Sequence, residues 1–260
     1  VSERIADETV WVLHRRPWQE TSLLVELLTA RHGRIAALAR GARRLRARTR
    51  PEPFRPLLAS WSLARPGGLA TLLGLEPAGD PVRLSGDALW SAFYLNEVLL
   101  RLLPRGVPQD GVHDLYASGL GELSALGVFG RGAAVRAAVR RFEKRLLDTL
   151  GYGPDFRRPT SGGEGVDPER RYRVWTDDHG TVRVDAAEEG IPGAVLLGLA
   201  EERFEDPDVL ALADRLLPFS LAAHTGPLER SRRVYTAVRA LVPARASSPV
   251  PSESSDAPSP

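Results

Sequence analysis

The chain has 260 residues, 43% hydrophobic and 26% charged, which is enough apolar material for two ordinary domains with cores of their own. Cysteine is absent, which removes disulfides, thiolate metal ligands and cysteine nucleophiles together, and no apolar run reaches the roughly 18 residues that a membrane-spanning helix needs. The net charge of +2 hides an asymmetry: residues 1–65 hold 13 arginines against 6 acids, whereas the remainder holds 22 basic against 27 acidic residues, so a polyanion is the natural partner of the first part.

The opening segment, Val1 to Glu8, is polar and acidic and lacks the basic-then-apolar pattern of a secretory signal, so a cytoplasmic location is expected. Val10, Val12 and His14 alternate with Trp11, Leu13 and Arg15, the period of a strand, which Arg16-Pro17-Trp18 should end. Thr21 to Thr29 reads as a second strand, with Leu23, Val25 and Leu27 on one face. A tight turn at Arg31-His32-Gly33 leads to a third strand, Arg34 to Arg40, with Ile35, Ala37 and Ala39 on one face. After a polar stretch from Gly41 to Pro53 come Phe54 to Leu63, a turn at Pro66-Gly67-Gly68, and Leu69 to Leu75. Five short strands with a long interruption after the third predict a five-stranded OB-fold barrel over residues 1–80.

From Ser85 the period becomes helical. Leu89, Phe93, Asn96, Leu100 and Leu103 form the first stripe, stopped by Pro104. Val112 to Leu126 is a second helix, weakened by Gly119 and Gly121. The third, Gly130 to Gly151, should bury Val135, Val139, Phe142, Leu146 and Leu150, with Gly151 as its cap. A hairpin is predicted near 171–184, turning at Asp177-Asp178-His179-Gly180. Ala194 to Glu202, Asp206 to His224 and Leu228 to Leu241 return to helix, which makes residues 81–242 a mainly helical domain carrying a small hairpin. The fold class is therefore α+β. Residues 243–260 are rich in Ser, Pro and Ala without periodicity and read as a disordered tail.

The main constellation is basic. Arg31, Arg34, Arg40, Arg43, Arg44, Arg46, Arg48, Arg50 and Arg55 share their window with Glu52 alone. Guanidinium groups suit phosphates because they offer paired donors in a planar fork. Arg15 and Arg16 add to the set, and Trp18 beside them is placed to stack on a base. The opposing reading is a solvated loop whose charge serves solubility, although nine like charges repel unless something compensates them. Trp11 and Trp61 read as core. On the third helix Arg136, Arg140 and Lys144 are four apart and share a face beside an apolar stripe, which suits an acidic peptide with a hydrophobic end as well as an ordinary solvated face paired to Glu143 or Asp148. His14, His32, His113, His179 and His224 have no metal-ligand spacing, so neither metal nor cofactor is expected. No serine elbow, phosphate loop or dinucleotide fingerprint is present, and a binding protein fits better than an enzyme.

In order and spacing, the motifs resemble the bacterial recombination and repair family RecO up to about Leu241. The carriers are Val12-Leu13-His14-Arg15-Arg16-Pro17 with Glu20-Thr21-Ser22-Leu23-Leu24, then Gly33-Arg34 leading to Ala39-Arg40-Gly41-Ala42-Arg43. Arg140-Arg141-Phe142-Glu143 with Leu150-Gly151-Tyr152-Gly153 follows, supported by Phe93-Tyr94-Leu95-Asn96-Glu97 and Pro227-Leu228-Glu229-Arg230-Ser231-Arg232. The resemblance implies an N-terminal OB-fold and a helical C-terminal domain. It further implies binding to single- and double-stranded DNA, annealing of complementary strands, and work with RecR to load RecA onto DNA coated by single-strand binding protein, in the cytoplasm at the nucleoid. Gly41-Ala42-Arg43 stands at the family's Gly-Ala-Arg segment. The helix of Arg140 stands where relatives take up the acidic, phenylalanine-ended C-terminal tail of single-strand binding protein. Lys144 stands where a close relative has an apolar residue. Many relatives carry a four-cysteine zinc site after Gly-Tyr-Gly; residues 155–180 here contain no cysteine, so zinc is not carried over and packing through Tyr172 and Trp175 is expected to hold the segment. An adapter whose basic barrel docks an acidic protein is the alternative function, and a nuclease with an unrecognised site a third.

Overall fold

A computed structural model describes residues 3–43, 50–65, 68–127, 132–177 and 181–226. The expectations for Arg44, Arg46 and Arg48, for the helix at 228–241 and for the tail at 243–260 lie outside the described residues.

Five strands come first: β1 (Glu3–Trp18), β2 (Ser22–Thr29), β3 (Arg34–Ala39), β4 (Leu57–Leu63) and β5 (Leu69–Pro77). They close in the order β1-β2-β3-β5-β4, with β1 antiparallel to β4 and β3 parallel to β5, which is the expected OB-fold barrel. Period 2 sends Val10, Val12, Leu23, Val25, Leu27, Ile35, Ala37 and Ala39 into its interior. Trp61 fills the middle, and the small side chains of Ala37, Ala59 and Ala70 leave room for it.

β1 is longer than the sequence pattern predicts. It runs through Arg16 and Pro17 to Trp18, paired with β2 throughout. By then β1 has parted from β4, whose pairing stops at Val10, so the proline removes no ladder bond on that side. Both faces of β1 are buried around residues 10–13: Val10 and Val12 point into the barrel, while Trp11 and Leu13 join the core of the helices.

The helices are α1 (Gly86–Leu102), α2 (Val112–Ala125) and α3 (Ala133–Thr149), then α4 (Gly193–Ala200) and α5 (Pro207–Thr225). Between α3 and α4 lies a small sheet, β6 (Arg171–Thr176), β7 (Val182–Ala187) and β8 (Ile191–Pro192), in the order β7-β6-β8. The expected stripe of α1 holds at Asn96 and Leu103, which are both buried, and is displaced elsewhere. Leu89 and Leu100 are half-buried and Phe93 is exposed, and the inward face consists of Ala88, Ala92, Leu95, Asn96 and Leu99. Alanines carry little hydrophobic weight in a pattern, but they let a helix axis approach its neighbours closely. Gly119 on α2 serves the same end. A Cβ there would stand 2.9 Å from Phe142 Cδ2 on α3.

Barrel and helices meet at a bonded seam. The Trp11 ring meets Tyr116 edge-on at 5.6 Å, Asn96 Nδ2 donates to Leu13 O at 2.9 Å, and the Tyr116 hydroxyl donates to Asn96 Oδ1. Arg105 pairs with the buried Glu26 of β2, and Gly106 N donates to Arg34 O at 2.8 Å. Gly33 turns β2 into β3 at φ +66 with its Cα against Val107 O, where a Cβ would lie 2.1 Å from that oxygen.

The segment after α3 is held by packing. Phe156, Val166, Tyr172, Val182 and Val184 are buried in the helical core, and the Tyr172 hydroxyl accepts from Asp167 N at 2.8 Å. Trp175 does not share that role. It is 39% exposed, because it lies on the outward face of β6, where Tyr172 and Val174 point inward. A thiolate zinc site does not fit a chain without cysteine, and no group of three or more His, Asp or Glu is placed to hold a metal among the described residues.

Candidate nucleic-acid interface

The arginines predicted to meet phosphate divide into two groups. Arg15, Arg16, Arg40 and Arg43 are exposed and collect at one end of the barrel, around the β1–β2 hairpin. Trp18 and Ser22 form the last pair of that hairpin, and Arg40 follows Ala39, the partner of Leu23. Arg43 reaches back to the same hairpin: its backbone N–H donates to Thr21 O at 2.9 Å and its Nη1 to Gln19 O at 3.2 Å. Arg15 Nη1 donates to Pro51 O at 3.2 Å. Arg43 and Pro51 are therefore both tied to the hairpin. Trp18 is 42% exposed beside this cluster. Arg15, Arg16, Arg40, Arg43 and Arg50 have no carboxylate within ion-pair distance among the described residues. Uncompensated charges of one sign gathered on a rigid end of a barrel create a field that attracts a polyanion.

The register adds an outward row across the barrel. Arg16 pairs with Leu24, Leu24 with Leu38, Leu38 with Thr71 and Thr71 with Ser62. Partners in register point to one side, so Arg16 opens a row of half-buried apolar and hydroxyl side chains.

Arg34 departs from expectation. Its side chain is only 14% exposed and is turned into the seam, where Nη1 donates to Leu100 O and Nε lies 3.6 Å from Glu26. Burial lowers its pKa, with Glu26 opposing and Arg105 reinforcing the shift. A count of arginines cannot tell which side of a strand each occupies, and position 34 faces the helices. Arg31 is likewise engaged, by the buried carboxylate of Glu8, which also holds His32 Nδ1 at 2.6 Å.

On α3 the three basic residues do not act alike. Arg136 and Arg140 converge on Asp214 of α5, Arg136 at 3.4 Å and Arg140 through an Nε hydrogen bond of 2.8 Å. Arg140 also donates to Glu143, whose other oxygen accepts from the Tyr94 hydroxyl of α1. Lys144 turns to Asp148 at 2.7 Å and stands apart from this network. Burial opposes the Arg140 charge, yet Glu143, Tyr94 and Asp214 outweigh it and raise the pKa. Burial pushes the Glu143 carboxyl up, with Arg140 and Tyr94 pulling it back only in part. Glu143 and Asp148, the partners that the sequence offers this face, do pair with Arg140 and Lys144, whereas Tyr94 and Asp214 are not legible in the sequence. The available signal of the framework is the position of Glu143 on the apolar stripe, four residues after Val139.

Two family models match the chain: Recombination protein O N terminal over residues 5–79 and Recombination protein O C terminal over residues 83–232. Curated relatives agree. The chain is 40% identical over 235 residues to the DNA repair protein RecO of Methylococcus capsulatus, covering 89% of this chain and 93% of that protein. It is 42% identical over 241 residues to the protein of that name from Alkalilimnicola ehrlichii (90% and 92%), and 39% identical over 250 residues to that of Stenotrophomonas maltophilia (93% and 99%).

Proposed function

Because this chain belongs to the RecO family, we propose that it is a DNA-binding recombination mediator acting in repair, which anneals complementary single strands and helps RecR load RecA onto DNA coated by single-strand binding protein. The observation that carries the reading is the arginine cluster around Trp18 on the barrel, which has no carboxylate within ion-pair distance among the described residues. Phosphates of two strands neutralised there repel each other less while their bases pair, and each contact releases counterions. The reading needs no bond-making step, and no catalytic residue is proposed. The site of action is the cytoplasm, at the nucleoid. A fluorescence assay with complementary oligonucleotides coated by single-strand binding protein tests it. Annealing should accelerate at least tenfold over the coated strands alone. An unchanged rate, together with no binding to bare oligonucleotide, favours the adapter with an acidic protein partner.

Arg140 and Arg136 are proposed to receive the acidic tail of single-strand binding protein, with Asp214 holding their guanidinium groups until tail carboxylates replace it. An Asp214→Asn protein should bind an acidic peptide ending in Phe several-fold more tightly, and Arg140→Ala several-fold more weakly, by fluorescence anisotropy. Equal affinity of Arg140→Ala and the parent would remove Arg140 from the site.

A further inference from the structure

We infer that the outer face of the β6–β7 hairpin is a second surface for single-stranded nucleic acid, separate from the barrel; this rests on the DNA-binding reading above. Alternation sends Tyr172, Val182 and Val184 into the core and leaves Arg171, Arg173 and Trp175 outward on one strand. Across the ladder their partners are Ala187, Asp185 and Arg183. Among the described carboxylates of this hairpin, two are engaged, and the exposed Glu188 and Glu189 lie in the turn after β7. Asp185 accepts the indole N–H of Trp175 at 3.1 Å, and Asp177 takes Arg183 at 2.8 Å. Arg171 and Arg173 have no carboxylate within ion-pair distance among the described residues. The Arg173 guanidinium lies 5.7 Å from the centroid of the Trp175 ring, while Arg171 spends one N–H on Gly190 O.

A fixed, exposed indole between arginines is the equipment that holds a single strand without reading it. The ring offers a face to a base and the guanidinium groups take the flanking phosphates. An acidic peptide would use the arginines but not the ring, so the tryptophan decides between the two. The edge of β7 is not the available surface, because Thr160 caps it through Val184. A protein that pairs two strands gains from a second place to hold one, and this face supplies it on a part of the chain that is otherwise acidic.

Photo-cross-linking of the full chain to a 5-iodouracil oligonucleotide, with the attachment sites mapped by mass spectrometry, reads this out. Cross-links are expected at Trp175 as well as on the barrel. An R171A/R173A/W175A protein should anneal complementary strands about tenfold more slowly, with an unchanged melting temperature and with single-oligonucleotide affinity within about twofold of the parent; W175F should keep most of the rate. Cross-links on the barrel but none at Trp175, with annealing unchanged in the triple variant, would overturn the inference while leaving the barrel reading intact. A slow R171A/R173A protein beside a W175A protein of parental speed would also overturn it, since no base then stacks there. A parent protein that neither binds nor anneals DNA would overturn both.

Discussion

An R16A/R40A/R43A protein is expected to bind a single-stranded oligonucleotide about a hundredfold more weakly than the parent in ~0.1 M salt. Each phosphate neutralised on a single strand contributes a slope of about 0.7 to the fall of log affinity with log salt. Between about 1 M and 0.1 M salt that is about 0.7 log units for each contact, hence about two log units for three. These arginines suit the test because they are exposed and lack ion pairs among the described residues, so their removal strands no buried carboxylate. Arg43 also braces the Gln19 carbonyl, and Gln19 sits at φ 51, so a melting curve must accompany the binding measurement. Arg34→Ala is the contrasting variant. It should loosen the seam and lower the melting temperature, because its guanidinium serves Leu100 O and Glu26.

The second large effect concerns stability. Glu143 is fully buried where α1, α3 and α5 meet, bonded to Arg140 and Tyr94. Breaking a buried pair from one side costs up to about 3–5 kcal/mol, and here Asp214 still compensates Arg140 only in part, because Glu143 lies closest to it at the centre of the framework. Glu143→Ala should therefore lower the free energy of unfolding by about that amount, measured by denaturant titration. Glu143→Gln should lose less than half as much. Burial already opposes the Glu143 charge, and the amide retains an acceptor for Tyr94. Equal losses in the two variants would show that charge, rather than hydrogen bonding, holds the three helices together.

The barrel was legible because its strands alternate cleanly. Leu23, Val25 and Leu27, then Ile35, Ala37 and Ala39, enter one interior, and turn residues separate the runs. Where two layers share a strand, the strand is legible but not which face enters the barrel, since Trp11 and Leu13 are buried opposite Val10 and Val12 and both faces are apolar. On α1 the apolar pattern finds the buried Asn96 and Leu103 but not Ala88 and Ala92, which mark close packing rather than bulk. The basic cluster was legible as a density of charge, but its division was not. Arg16 and Arg40 face outward, whereas Arg34 is drawn to Glu26 and to the carbonyl of Leu100, 66 residues further along the chain. The framework around Arg140 joins residues 94, 140, 143 and 214, a conjunction that only the packed helices bring about.

The barrel's role is tested most directly by titrating a bare oligonucleotide against the parent and the R16A/R40A/R43A protein over a series of salt concentrations. A steep fall of log affinity with log salt is predicted for the parent, with the slope of the variant shallower by about 2. Parallel slopes, or no salt dependence in the parent, would contradict the assignment of phosphate binding to this end of the barrel.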